Sequence, residues 1–142
     1  MKKTNKIIII SVAGLCIVAL CLLLLLYFFR ERDFKSFVTP SEVNQITITS
    51  GSNGDTQTVT NKEALDQILT YMNNITFQRK FAEDRTGWSY RFSFYQNDQL
   101  LRDFVFAGDL ADIDTKDYSV KDSNTITMDE MLKTLSNIPF TK

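Results

Sequence analysis

Five aspartates fall between positions 108 and 122 (Asp109, Asp112, Asp114, Asp117 and Asp122), the densest set of oxygen ligands in the chain. Calcium loops are built from such carboxylates in a fixed order. One opening at Asp112 needs a small oxygen ligand where Lys116 stands, glycine where Asp117 stands and glutamate where Ser123 stands. It fails at all three positions, so the stretch reads as a solvated acidic loop.

Histidine is absent from the whole sequence. Its absence removes the commonest general base, the commonest metal ligand, and both Ser-His and Cys-His nucleophile pairs. None of the five glycines falls in a phosphate-cradling pattern. No motif marks a Ser-Lys pair. Carboxylate pairs of the glycosidase kind are defined by a separation in space that chain spacing does not fix. No enzymatic activity, no cofactor and no metal site is expected.

The remaining chemistry is recognition. The run Trp88-Ser89-Tyr90-Arg91-Phe92-Ser93-Phe94-Tyr95 alternates with the period of a strand. Trp88, Tyr90, Phe92 and Phe94 line one face, with Ser89, Arg91, Ser93 and Tyr95 on the other. Residues 96–99 turn the chain and residues 100–107 return as its partner. Arg91, Tyr95 and Arg102 are expected on this second face, with Trp88 near the strand start, as a partner-binding set left open if helices cover only the other face. Arginine and aromatic side chains are enriched at protein interfaces.

Other segments supply the scaffold. Ile46 and Ile48 alternate with Thr47 and Thr49, residues 51–55 are dense in turn formers, and residues 56–60 return, predicting a hairpin. Thr60 and Glu63 have capping-box spacing ahead of Leu65, Ile68, Leu69 and Met72, which predicts a helix over residues 61–73. Residues 75–81 read as a third strand. Residues 118–120 and 125–127 are expected to form a short hairpin. Thr127 and Glu130 then cap a last helix carrying Met128, Met131, Leu132, Leu135 and Ile138, ended by Pro139. Residues 58–69 and 125–136 share Thr, Thr, Glu and Leu in register, the pattern of a strand leading into a capped helix.

All of this hangs from one stretch. Residues 7–29 run 23 positions without a charge, a proline or an amide side chain. As a helix they cover about 34 Å, enough for the ~30 Å hydrocarbon core of a bilayer. Lys2, Lys3 and Lys6 precede the stretch, Arg30 and Arg32 follow it, and Tyr27, Phe28 and Phe29 sit where an interfacial aromatic belt belongs. A cleaved signal has a shorter apolar core and small residues at its cleavage site, and neither is present here. Bacterial lipoprotein signals resemble Leu-x-(Gly/Ala/Ser)-Cys, whereas leucine (Leu15, Leu20) precedes both Cys16 and Cys21. The segment is therefore expected to be a retained anchor. Lysine and arginine are balanced across it, and the short N-terminal tail tips the orientation towards N-terminus in.

The expected layout is a cytoplasmic tail at 1–6, an anchor at 7–29, a juxtamembrane connector at 30–42 and an extracytoplasmic domain at 43–142. From residue 36 onward, 10 Lys and Arg face 15 Asp and Glu, a net charge of −5. Such a domain is a poor partner for nucleic acid, whose binding rests on cationic side chains. No cysteine lies outside the apolar stretch, so a hydrophobic core and not disulfides must hold the domain.

The expected fold is α+β: a single transmembrane helix, then an antiparallel sheet of five to seven strands with two helices packed on one face. The Met-Lys-Lys opening, single anchor and small α+β domain resemble the layout of small uncharacterised membrane-anchored extracytoplasmic proteins of Gram-positive bacteria. That resemblance implies a place at the cell surface. The expected function is a non-catalytic binding or accessory module engaging a protein or envelope component. Alternatives are an immunity or inhibitor protein at the membrane surface and a histidine-free hydrolase.

Overall fold

The computed structural model describes residues 2–81 and 84–135, in two units, Met1–Arg30 and Glu31–Lys142. In the first unit, helix α1 (Lys2–Phe28) contains the window Ser11–Phe28, with mean hydropathy 2.7 and no buried residue. It is long and apolar enough to cross a membrane.

The second unit is α+β, built on one antiparallel sheet of eight strands, more than the five to seven expected. The strands are β1 (Glu31–Asp33), β2 (Gln45–Ser50), β3 (Thr56–Val59), β4 (Ile75–Arg79), β5 (Tyr90–Gln96), β6 (Gln99–Ala107), β7 (Leu110–Ile113) and β8 (Lys116–Asp122). Their spatial order is β1-β4-β8-β7-β6-β5-β2-β3. The meander β5 to β8 forms the centre. The β2–β3 hairpin extends one side, and β4 with β1 the other. Helix α2 (Lys62–Asn73) carries the chain from β3 to β4, and α3 (Met128–Leu135) follows β8.

Two of the extra strands come from segments expected to be irregular. The connector expected at 30–42 is part of the fold: Glu31–Asp33 pairs with β4, and Phe34 and Val38 are buried in the core. The acidic loop is a hairpin. Ala111, Ile113 and Tyr118 point into the core while Asp112 and Asp117 pair across the other face. Its turn, Asp114-Thr115, holds both residues at positive φ (52° and 63°). That geometry belongs to two-residue hairpins, but Asn-Gly or Asp-Gly is its usual sequence. The expected pairing of 118–120 with 125–127 is therefore replaced: residues 118–120 lie inside β8, and residues 125–127 form no strand. The strand-then-helix reading accordingly holds at 58–69 and not at the second site.

The core is a phenylalanine cluster. Phe104 meets Phe34, Phe77 and Phe94 at ring-centroid distances of 5.4, 5.5 and 5.5 Å, and Phe37 packs edge-on against Phe77, Phe104 and Tyr118. Helix α2 contributes Ala64, Leu65, Ile68, Leu69, Tyr71 and Met72; α3 contributes Met131 and Leu135. Both helices lie on this one face. Asn61, and not Thr60, caps α2, its side-chain oxygen accepting from the Ala64 N–H at 3.2 Å. Thr127 and Glu130 form the expected capping box at α3: the Thr127 N–H donates to Glu130 Oε2 (2.8 Å) and the Glu130 N–H to Thr127 Oγ1 (3.2 Å). Ile138 and Pro139 lie outside the described residues.

Candidate functional site

Within the second unit, α2 and α3 both pack on the core face of the sheet and leave its second face without either. Strand alternation puts the neighbours of each core residue there, so β5 offers Arg91, Ser93 and Tyr95 opposite Phe92 and Phe94. One cross-strand row reads Thr56, Thr49, Arg91, Val105, Asp112 and Asp117, from β3 to β8. In the adjacent row Ser93 is buried and donates its hydroxyl to the Asp103 carboxylate.

Arg91 stands exposed near the start of β5 on this face, its guanidinium carbon 5.6 Å from the Trp88 ring centre. A cation held over an indole gains about 0.5–1 kcal/mol at an exposed site. Trp88 itself precedes β5 and is pinned by backbone. The Gly51 N–H donates to Ser89 O (2.7 Å) and the Ser89 N–H to Phe106 O (2.7 Å). Gly51 lies so close that a Cβ there would stand 1.9 Å from the Trp88 carbonyl oxygen. Beyond Trp88, Arg85 pairs with the Asp117 carboxylate, tying the β4–β5 connection to β8.

Tyr95 shares the face, but four residues along an extended strand place it about 13 Å from Arg91. It pairs with Gln45 and sits opposite Leu100, which is 48% exposed. The turn beyond is locked by Asn44, whose Nδ2 donates to Asn97 Oδ1 (2.8 Å) and whose Oδ1 accepts the Asn97 N–H (3.1 Å).

Arg102 is not part of this arrangement. A register shift between Phe94 and Tyr95 places Leu100 opposite Tyr95 and Arg102 opposite Phe94, with Leu101 as the extra residue. One inserted residue turns every later side chain to the other face. Arg102 consequently lies on the helix-bearing face, where its Nε donates to Phe37 O (3.3 Å) and a terminal nitrogen pairs with the Asp114 carboxylate. Its role there is to fasten the Phe37 segment to the sheet. Of the four residues expected together, Trp88 and Arg91 touch, Tyr95 shares their face, and Arg102 does not.

The acidic residues are dispersed by the β7–β8 hairpin. Asp112 and Asp117 pair across one face, Asp114 sits in the turn and Asp122 ends β8. Among the described residues no three His, Cys, Asp or Glu side chains group closely enough to hold a metal ion.

A second concave feature, with no clear signal in the sequence, is a groove of about 720 Å³ on the helical layer, lined by α2, residues 124–126 and α3. Its wall is a hydrogen-bonded knot. Tyr71 OH donates to Asp122 Oδ2 (2.6 Å), and Asn124 Nδ2 bridges Tyr71 O (3.0 Å) and Asp122 Oδ1 (2.7 Å). Burial, then the hydrogen bond to Asp122, holds the Tyr71 phenol above the ordinary tyrosine range. Comparison with protein-family models, curated proteins and solved structures yields no match to this chain.

Proposed function

We propose that this protein is a non-catalytic binding module, anchored in a membrane by α1 with its folded domain outside the cytoplasm, engaging a protein of the cell envelope through the helix-free face of its sheet. The observation that carries this reading is the Trp88–Arg91 pair, an arginine stacked on a backbone-pinned indole where β5 begins on that face. Rigid aromatic anchors beside arginine recur where binding energy concentrates. The length of the apolar run at residues 7–29, the lack of small residues after it and the three lysines ahead of it support a retained anchor with its N-terminus inside.

The test is protease shaving of intact cells bearing a C-terminal tag, followed by photocrosslinking through position 91 or 95. The reading requires tag loss without lysis and a discrete crosslinked partner. A protected tag would refute the orientation, and crosslinking from helix positions but not from 91 or 95 would refute the face. A second reading, an immunity or inhibitor protein, draws on the −5 charge of the domain, which would suit a cationic toxin or hydrolase. The crosslinked partner's identity separates the two.

A further inference from the structure

The groove on the helical layer lies on the opposite side of the sheet from the Trp88–Arg91 pair and is independent of it. Its length follows α2 from Lys62 to Tyr71, nine helical steps and about 13 Å along the helix. Its exposed apolar surface comes from Ile126, which stands 46% exposed, while the buried Met131 closes the lining behind. An exposed isoleucine at the mouth of a concave surface is an anchor point for an apolar side chain.

The charged side chains that line the groove sum to one negative charge. Glu63 and Asp66 line the α2 side, opposed by Lys62 alone. Asp122 stands behind Tyr71, and the negative charges of Asp129 and Glu130 also act on the Tyr71 phenol. The wall is prebuilt, because Asn124 is held by both Tyr71 and Asp122. A preformed wall lowers the ordering cost of an incoming chain.

We propose that this groove binds a basic amphipathic helix of a partner protein, its apolar stripe seated over Ile126 and Met131 and its lysines or arginines facing Glu63 and Asp66. Anchors at i, i+3, i+4 and i+7 of a helix span about 10.5 Å, which the groove accommodates. Acidic rims select such a helix over an acidic one of equal hydrophobicity.

The experiment uses the full chain in nanodiscs of neutral lipid, with empty nanodiscs as the control. The probe is a fluorescein-labelled helical peptide with leucine at i, i+3, i+4 and i+7 and lysine at its exposed positions, beside a matched peptide with glutamate for lysine. Fluorescence anisotropy should show saturable binding of the lysine peptide that weakens as salt is raised. Asp66→Lys and Ile126→Glu, both at exposed positions, should each weaken it at least tenfold while circular dichroism and melting temperature stay unchanged. Equal binding of the glutamate peptide, or unchanged affinity in both variants, overturns the proposal. Lysine-peptide binding that strengthens more than tenfold when residues 136–142 are removed also overturns it, since the groove would then belong to the chain's own C-terminal segment. Loss of the partner crosslinked at position 91 or 95 leaves this result untouched, so the two surfaces fail separately.

Discussion

Arg102 stands directly opposite Phe94 on the helix-bearing face, and Leu100 stands opposite Tyr95 on the other. Between the two pairs lies one unmatched leucine, and it sends the two arginines of the central hairpin to opposite sides of the sheet. Arg91→Ala should therefore abolish or sharply reduce crosslinking from position 95, with a stability loss of about 1 kcal/mol or less. Arg102→Ala should do the reverse, removing a charge-assisted bond to Phe37 O at a cost of about 1.5–3 kcal/mol and sparing the crosslink. Thermal melts of the detergent-solubilised chain run beside the crosslinking assay check both halves.

Gly51 is a glycine because of Trp88. With the Trp88 carbonyl 1.9 Å from where a Cβ would stand, Gly51→Ala must push the two strand ends apart. The expected cost is about 1–3 kcal/mol. Emission of the single tryptophan should also shift to longer wavelength as the indole loosens. An unchanged spectrum would mean that Gly51 does not hold the indole in place.

Phe104 joins the central meander to the Phe34 segment and is fully buried. Phe104→Ala should destabilise the domain by about 3–5 kcal/mol, measured by denaturant titration in detergent. Leu100→Ala, at an exposed position, should change stability by no more than about 0.5 kcal/mol.

Tyr71 makes the domain sensitive to alkali. In the unfolded chain its phenol releases its proton near pH 10. In the folded chain burial and the Asp122 carboxylate keep the proton on. The stabilisation is complete below that pH and is lost as pH rises above it. A melting profile from pH 8 to 11 should fall more steeply for the native chain than for Tyr71→Phe, and parallel profiles would refute the linkage.

The α3 cap acts at the other end of the scale. The Thr127 backbone N–H and hydroxyl lower the Glu130 carboxyl below its ordinary value. Its contribution is present above the unfolded glutamate range and disappears as pH falls through the folded value. Thr127→Ala should cost about 0.5–2 kcal/mol at neutral pH. The difference between the two chains should shrink on acidification, as read from melting temperatures between pH 3 and 7.

The apolar span, the two helices, the β2–β3 and β5–β6 hairpins and the aromatic core face were legible in the chain, because each rests on a local period or on turn and cap residues a few positions apart. The α3 cap was readable for the same reason; the α2 cap was misplaced by one residue, since Thr60 and Asn61 both suit that role. Strand β1 was hidden because three charged residues give no alternation, and its pairing with β4 is made far along the chain. The β7–β8 hairpin was hidden behind an Asp-Thr turn and a run of acids that alternates with Ala111 and Ile113.

By itself the sequence determined a greasy helix, an acidic α+β domain without histidine, and an arginine and a tyrosine on the polar side of an aromatic strand. Tertiary structure alone decided which surfaces exist. A bulge moved Arg102 to the other face, Gly51 brought Trp88 beneath Arg91, and the packing of α2 near residues 124–126 and α3 opened a groove. Each of these depends on contacts between residues distant in the chain, where a shift of a single position reverses a side chain's direction, and no local pattern encodes that choice.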